Sequence, residues 1–298
     1  MTNCTSFEIN DNAFHIKDIC YGIVGLMAAI SNSIILVAMI KDPLKKLRTT
    51  FNYLVVNLCI CDLLNGIVTI PSMLMEIRSL EKYRKYMLDS SGTIHLFLPN
   101  TILFAVFFSM CALSIDRYKA IVHPIKYRQN MCWRRCVKYT MLIWLLAIFL
   151  ASLAFLIKTV VLSLIYTNTC FTLNGLVQLM VYFRVKKAIH SHNTEFEEKM
   201  KESLTASQET VKNRLKTEQK ITRVYSVILM TVLITTLPGL VILDFTALYQ
   251  DVDCLVGFIA FNVRLLLLYS NSVMNPLVCM FMLKNFKESI KVMFCCCI

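Results

Sequence analysis

Charge is scarce in this chain, and so are glycine and proline. Only 17% of its 298 residues are charged, against about a quarter in ordinary soluble domains. Seven glycines and six prolines are too few for flexible linkers or long disordered tails. The opening residues are polar and mildly acidic, so no secretory signal peptide is expected and the first apolar stretch serves as its own insertion signal. No Cys/His spacing fits a zinc site. No acid, base and nucleophile form a recognisable constellation, so the chain reads as not an enzyme. No internal repeat is visible and the ionisable residues trace no path across a bilayer, which disfavours a transporter.

What the chain has in abundance is apolar surface: 57% of residues are hydrophobic and the mean hydropathy is +0.60. Apolar runs fall roughly at 19–40, 51–75, 94–115, 139–157, 160–185, 221–249 and 254–282. Each is long enough for a helix to cross a bilayer, which takes about 20 residues. The fold class that follows is an all-α membrane protein, a seven-transmembrane helix bundle over 18–282. The fifth run has a polar middle, Tyr166 to Cys170 and then Asn174 and Gly175. The formal net charge of +12 lies between these runs. A nucleic-acid binder would gather it on a polar domain, so no nucleic-acid partner is expected.

Lys and Arg concentrate at 41–48, 119–138, 184–223 and in the tail. The positive-inside rule then puts those loops in the cytosol and residues 1–17 outside a plasma-membrane protein. Arg78, Lys82, Arg84 and Lys85 are an exception that the other loops outvote. Asn3 opens an N-glycosylation sequon, which agrees with an outside N-terminus. Within 184–223, Val185, Ile189, Phe196, Met200, Leu204, Val211 and Leu215 recur near helical spacing, so the flanking helices are expected to extend beyond the membrane.

The polar exceptions inside the runs point to function. Asp62 is a carboxylate in an apolar span and must be protonated, paired or bound to a cation. Asp116 and Arg117 close the third run. Successive helical residues point about 100° apart, so Asp116 holds Arg117 only in part and Arg117 is free to reach another helix. With these come Asn32, Asn57, Trp144, Pro238, Asn275 and Pro276, each on its own run.

Seven spans, Asp116-Arg117-Tyr118, Asn275-Pro276 and those residues in order resemble the rhodopsin-like (class A) G-protein-coupled receptors over nearly the whole chain. The resemblance implies that Arg117 is held by Asp116 and by Glu218 at the base of helix six. Parting of that pair would let helix six swing out to admit a heterotrimeric G protein. It also implies a polar network of Asn32, Asp62, Asn271, Ser272 and Asn275, with a sodium ion near Asp62 as the one cofactor to consider. A protonated Asp62 bonded to helix seven is the alternative. The helix-three position that usually supplies a hydroxyl here is Val106.

Departures narrow the family. Gly92 stands where the helix-three cysteine would fall, Asn174 where the helix-five proline would fall, and the loop between helices four and five is very short. Together these resemble the melanocortin, lysophospholipid, cannabinoid and adenosine receptor cluster. Thr236 replaces the helix-six tryptophan and Cys279 the tyrosine after Asn-Pro, which leaves atypical, constitutive or absent coupling as an alternative. Cys4, Cys20, Cys170 and Cys254 are disulfide candidates on the outer face, with the pairing open.

In the tail, 283–298, Leu283, Phe286, Ile290, Met293 and Phe294 share one helical face and Lys284, Lys287 and Lys291 another. That is an amphipathic helix on the inner leaflet, ending in Cys295, Cys296 and Cys297, candidates for palmitoylation. Ligand-pocket candidates are Ser72, Glu76, His95, Asn100, Leu103, Leu243, Asp244, Phe261, Arg264 and Leu268. Pro99 stands where amine receptors carry an aspartate, so the expected extracellular ligand is a peptide or lipid-like molecule rather than a biogenic amine. Arg264 suits an acidic group, Glu76 and Asp244 a basic one. The bland alternative is that all three charges sit at the water interface.

Overall fold

The structure, a computed structural model, describes residues 11–71, 74, 94–123, 126–127, 133–156, 160–199, 206–248 and 254–295. Eight α-helices follow in order: α1 Asp11–Lys41, α2 Thr50–Leu64, α3 Ile94–Val122, α4 Trp133–Leu156, α5 Val160–Lys199, α6 Ala206–Leu248, α7 Cys254–Met282 and α8 Lys284–Cys295. Among the described residues there is no strand. Among the described residues, six helices are long and apolar enough to cross a membrane. The seventh, α5, is the one with the polar middle.

Burial is inverted relative to a soluble protein. Ile19, Ile23, Leu26 and Ile30 on α1, and Met141, Leu145, Phe149 and Leu156 on α4, are exposed. Asn32, Asn57, Asp62, Ser109 and Arg117 are buried. Exposed apolar belts on this scale mark a surface made for something other than water, and here they suit lipid. Contacts close the helices into a ring of α1, α2, α4, α5, α6 and α7, with α3 inside touching α2, α4, α5 and α6. Much of the third run is therefore buried, Ile102, Ala105, Met110, Leu113 and Ser114 among it. That is why the Asp116–Arg117 pair at its end lies among other helices rather than in lipid.

Local chemistry fixes the starts and bends. Thr49 caps α2, its hydroxyl accepting from Asn52 N at 3.2 Å. Asp42 and Lys45 take positive φ, 34° and 53°, in the turn that reverses the chain. The Asp42 carboxylate holds that turn by accepting from the N–H groups of Lys46 and Leu47 at 3.0 and 3.1 Å, a local bond of the kind that lets Asp adopt a left-handed conformation. The end of α2 widens into a π-helical turn, Asn65–Thr69. Gly66 lies there against α1: a Cβ on it would stand 2.8 Å from Gly25 O, so only hydrogen fits.

Several boundaries differ from the sequence reading. α1 starts at Asp11, eight residues ahead of the apolar run at 19–40, with Lys17 buried and 3.1 Å from Asp18. α4 starts at Trp133, inside the expected basic loop. α5 and α6 run well past the apolar stretches, leaving only 200–205 between them, as the helical recurrence in 184–223 implies. α5 is unbroken because its polar middle has partners: Tyr166 Oη donates to Leu150 O at 3.0 Å, and Asn174 Oδ1 accepts from Cys111 Sγ at 2.8 Å and Gln178 Nε2 at 2.7 Å. α8 buries Phe286 and exposes Lys284, Lys287 and Lys291, an amphipathic helix packed on α1 and α7. Glu288 ties it to Lys46 at 3.6 Å.

Candidate functional site

Two polar clusters occupy the bundle. The first lies at the end of α3. Arg117 is 1% exposed. Its guanidinium donates to Asp116 Oδ2, from Nε at 3.2 Å and also from Nη2. From Nη1 it donates to Glu218 Oε2 on α6 at 2.9 Å. The Phe51 ring lies 4.6 Å from its Cζ, close enough for a cation–π contribution. One cation thus bridges two carboxylates and joins α3 to α6. An unpaired buried charge is costly, so the two carboxylates are what let Arg117 stay there.

Tyr118 takes no part in that network; its ring meets His123 edge-on, centroids 6.4 Å apart. The tyrosine that does take part is Tyr127, which sequence reasoning left without a role. Its hydroxyl donates to Asp116 Oδ1 at 3.0 Å and accepts from Arg117 Nη2 at 3.3 Å. Burial, and then the Asp116 carboxylate, push the phenol above its ordinary pKa, so it remains a donor at neutral pH. A second unpredicted link joins the same helices: Ser114 Oγ and Tyr225 Oη are 2.6 Å apart.

The second cluster surrounds Asp62, which is fully buried. Ser272 Oγ donates to Oδ1 at 2.8 Å and Asn275 Nδ2 to Oδ2 at 3.0 Å. Asn65, on the π turn and absent from the sequence prediction, donates to Ser272 Oγ at 3.2 Å. Asn32 joins through the backbone, donating to Ser272 O at 2.8 Å. Asn271 does not reach Asp62: its Oδ1 accepts from Thr235 on α6 at 2.6 Å, because it points to the opposite flank of α7. Pro276 is inside α7. Asn57 anchors a neighbouring chain of bonds, to Ser109 Oγ at 2.7 Å and from Trp144 Nε1 at 3.0 Å.

The donor set around Asp62 can be tested against a cation. Asp62 supplies a carboxyl group and Ser272 a hydroxyl, oxygens of the kind a hard ion prefers, while Asn275 Nδ2 takes up Oδ2. Asn32 Oδ1 and Asn275 Oδ1 are buried without a hydrogen-bond partner. α3 adds nothing at Val106, and Ser109 donates instead to Ala105 O at 2.6 Å. The residues fit such an ion, with α2 and α7 as its holders.

At the end opposite Arg117, Asn100 and Leu103 are half-buried on α3. Phe261 is buried on α7, with Arg264 and Leu268 half-buried beside it. Gly239 of α6 comes close to Arg264, where a Cβ would meet its Cγ at 3.4 Å. His95, Leu243 and Asp244 are on α3 and α6, but their side chains lie outside the described residues, as do Ser72, Glu76, Asn3 and Cys4 entirely. Of the disulfide candidates, Cys20 and Cys170 are free thiols; each sits within a helix, and Cys170 packs against the core rather than facing the outer surface. The side chains of Cys254 and Cys295, and all of Cys296 and Cys297, are outside the described residues. Thr236 keeps a buried hydroxyl without a partner, and Cys279 is packed in the core.

A seven-helix bundle with buried polar links from α3 to α6 and from α2 to α7 is the architecture of a membrane receptor. The profile described as "7 transmembrane receptor (rhodopsin family)" matches residues 31–278, and the chain belongs to that family. Squid rhodopsin superposes with a TM-score of 0.78 at 18% identity, covering 98% of this chain and 88% of that one. The Drosophila melanogaster neuropeptide F receptor is 35% identical over 158 residues, 52% of this chain and 30% of that receptor. The Mus musculus trace amine-associated receptor 9 is 25% identical over 322 aligned residues, 93% of this chain and 84% of the receptor. These names lie outside the cluster to which Gly92, Asn174 and the short outer loop point. The fold and family are those of receptors rather than enzymes.

Proposed function

We propose that the chain is a plasma-membrane receptor, N-terminus outside, that converts binding of an extracellular ligand into activation of a heterotrimeric G protein. The observation that carries this reading is Arg117, buried and bound to Glu218 on α6. A link of that kind has two states, joined and parted. A ligand that prefers the parted state shifts the population by its differential affinity. Parting frees α6 and opens a cleft bordered by α3 and α5. The ligand is read as a peptide or lipid-like molecule with an acidic group for Arg264. The relatives named for neuropeptide and for amine recognition divide on this point, and Pro99 favours the first. Asp62, Ser272 and Asn275 would hold a sodium ion that favours the joined state by tying α2 to α7.

The test is a distance. Spin labels at exposed Lys220 on α6 and Lys284 on α8 should move apart when nucleotide-free heterotrimer binds the detergent-solubilised receptor. An unchanged distance with heterotrimer bound removes the α6 mechanism. A tag between α5 and α6 reachable from outside intact cells removes the topology. Screening a ligand panel with G-protein dissociation readouts then identifies the agonist.

A further inference from the structure

A second site lies away from both polar clusters, between α5 and α6 near the level of Arg117. A cavity of about 430 Å³ opens there, within the range of roughly 300–1,000 Å³ typical of small-molecule sites. Val185 and Thr222 form its buried floor, and Lys186 and Arg223 its exposed rim. The Thr222 hydroxyl is buried with no hydrogen-bond partner. Neither Lys186 nor Arg223 forms an ion pair among the described residues. Two free cations and an unused hydroxyl converging on one cleft are the chemistry of a phosphate receptor.

Position decides which phosphate. The cleft sits at the basic end of the span Lys216–Gly239, where the positive-inside rule places the inner leaflet. Exposed apolar side chains lead away from it on both helices, Met180 and Phe183 on α5 and Met230 and Ile234 on α6. A headgroup at Lys186 and Arg223 would therefore have its acyl chains lying along an apolar surface already facing lipid. A soluble phosphate compound would use the rim and leave that surface untouched.

We infer that the α5–α6 cleft binds the phosphorylated headgroup of an anionic phospholipid of the inner leaflet. Lys186 and Arg223 hold the phosphate, Thr222 donates to it, and Ile189 lines the cleft beside it. The headgroup then contacts two helices at once, bridging the gap between them.

The full chain in nanodiscs tests this, with phosphatidylinositol 4,5-bisphosphate as the probe in a phosphatidylcholine background and native mass spectrometry as the readout. The Lys186→Gln/Arg223→Gln variant should lose about thirtyfold in affinity, the loss expected when two charge-assisted contacts to the phosphate are removed. Thr222→Val, with no change of charge, should lose severalfold. Lys287→Gln/Lys291→Gln on α8 should keep the wild-type affinity. Wild-type binding by the α5–α6 double variant overturns the site, and an equal loss in the α8 control reduces it to general surface charge. Displacement by soluble inositol trisphosphate as effective as by the lipid overturns the lipid assignment.

Discussion

Arg117 and Asp62 are both ionisable groups sealed in the same bundle, yet they are satisfied in opposite ways. Around Arg117 two of the partners are carboxylates, and one of them, Glu218, keeps 30% of its side chain exposed. Around Asp62 the donors are neutral and dry: Ser272 and Asn275 are as buried as the carboxylate itself. An ionic link with one arm in reach of water can trade its partner for hydration at small cost, which is why exposed ion pairs contribute only about 0–1 kcal/mol. A dry hydrogen bond has no such exchange, since each broken bond leaves an orphaned polar group costing roughly 1–3 kcal/mol. On the proposed mechanism, α3 to α6 is the joint that opens and α2 to α7 the one that stays closed.

The largest effect should come from Arg117→Ala. It leaves Asp116 buried without its cation, a loss of roughly 3–5 kcal/mol for a broken buried pair. Receptor-catalysed nucleotide exchange should fall to background, and thermal stability should drop as well. Exchange normalised to surface expression checks this. Normal exchange in a variant that reaches the surface would mean that the opening joint lies elsewhere.

Asp62→Asn probes the closed joint. The amide keeps one acceptor oxygen but turns an N–H₂ toward Ser272 or toward Asn275 Nδ2, costing roughly 1–3 kcal/mol. Thermal unfolding should move down, and any stabilisation by sodium over choline chloride should vanish. A sodium effect that survives the change would take the ion away from Asp62.

Both joints were partly legible before the structure. Asp62, Arg117 and Asn275 stand out because charge and amide are rare in apolar runs, and α7 has the expected bounds because Asp251 and Asp253 precede it and it opens on an apolar run. What escaped was set by distant contact rather than by local pattern. The π turn that carries Asn65 depends on Gly66 meeting Gly25 of another helix. Tyr127 lies in a basic loop whose path back to Asp116 no periodicity reveals. Asn271 differs from Ser272 by one helical step, enough to face α6 instead of α2. Cys20 and Cys170 are free thiols, which their spacing in the sequence does not reveal.

Glu218→Gln should act in the opposite direction to Arg117→Ala. Neutralising the arm that water already reaches removes about 1 kcal/mol of attraction, so the parted population should rise about fivefold. Ligand-independent nucleotide exchange should rise by a similar factor while expression stays close to wild type. A fall in basal exchange would show that Glu218 serves the G protein directly and does not latch α6.

The smallest change, Tyr127→Phe, separates the two arms of the Arg117 cluster. The tyrosine hydroxyl touches Asp116 and Arg117 but not α6. Its loss removes two hydrogen bonds, one to Asp116 and one from Arg117, each about 0.5–1.5 kcal/mol, from the side of the cluster away from α6. Arg117 is then held less firmly to Asp116 and leans toward Glu218, tightening the α3–α6 link. Basal exchange should therefore fall by less than about fivefold, against the rise expected for Glu218→Gln. The double variant should behave as Glu218→Gln alone, because tightening has no effect once the latch is neutral. A rise in basal exchange for Tyr127→Phe would instead mean that the tyrosine is itself part of the latch, and that the opening joint extends into the loop after α3.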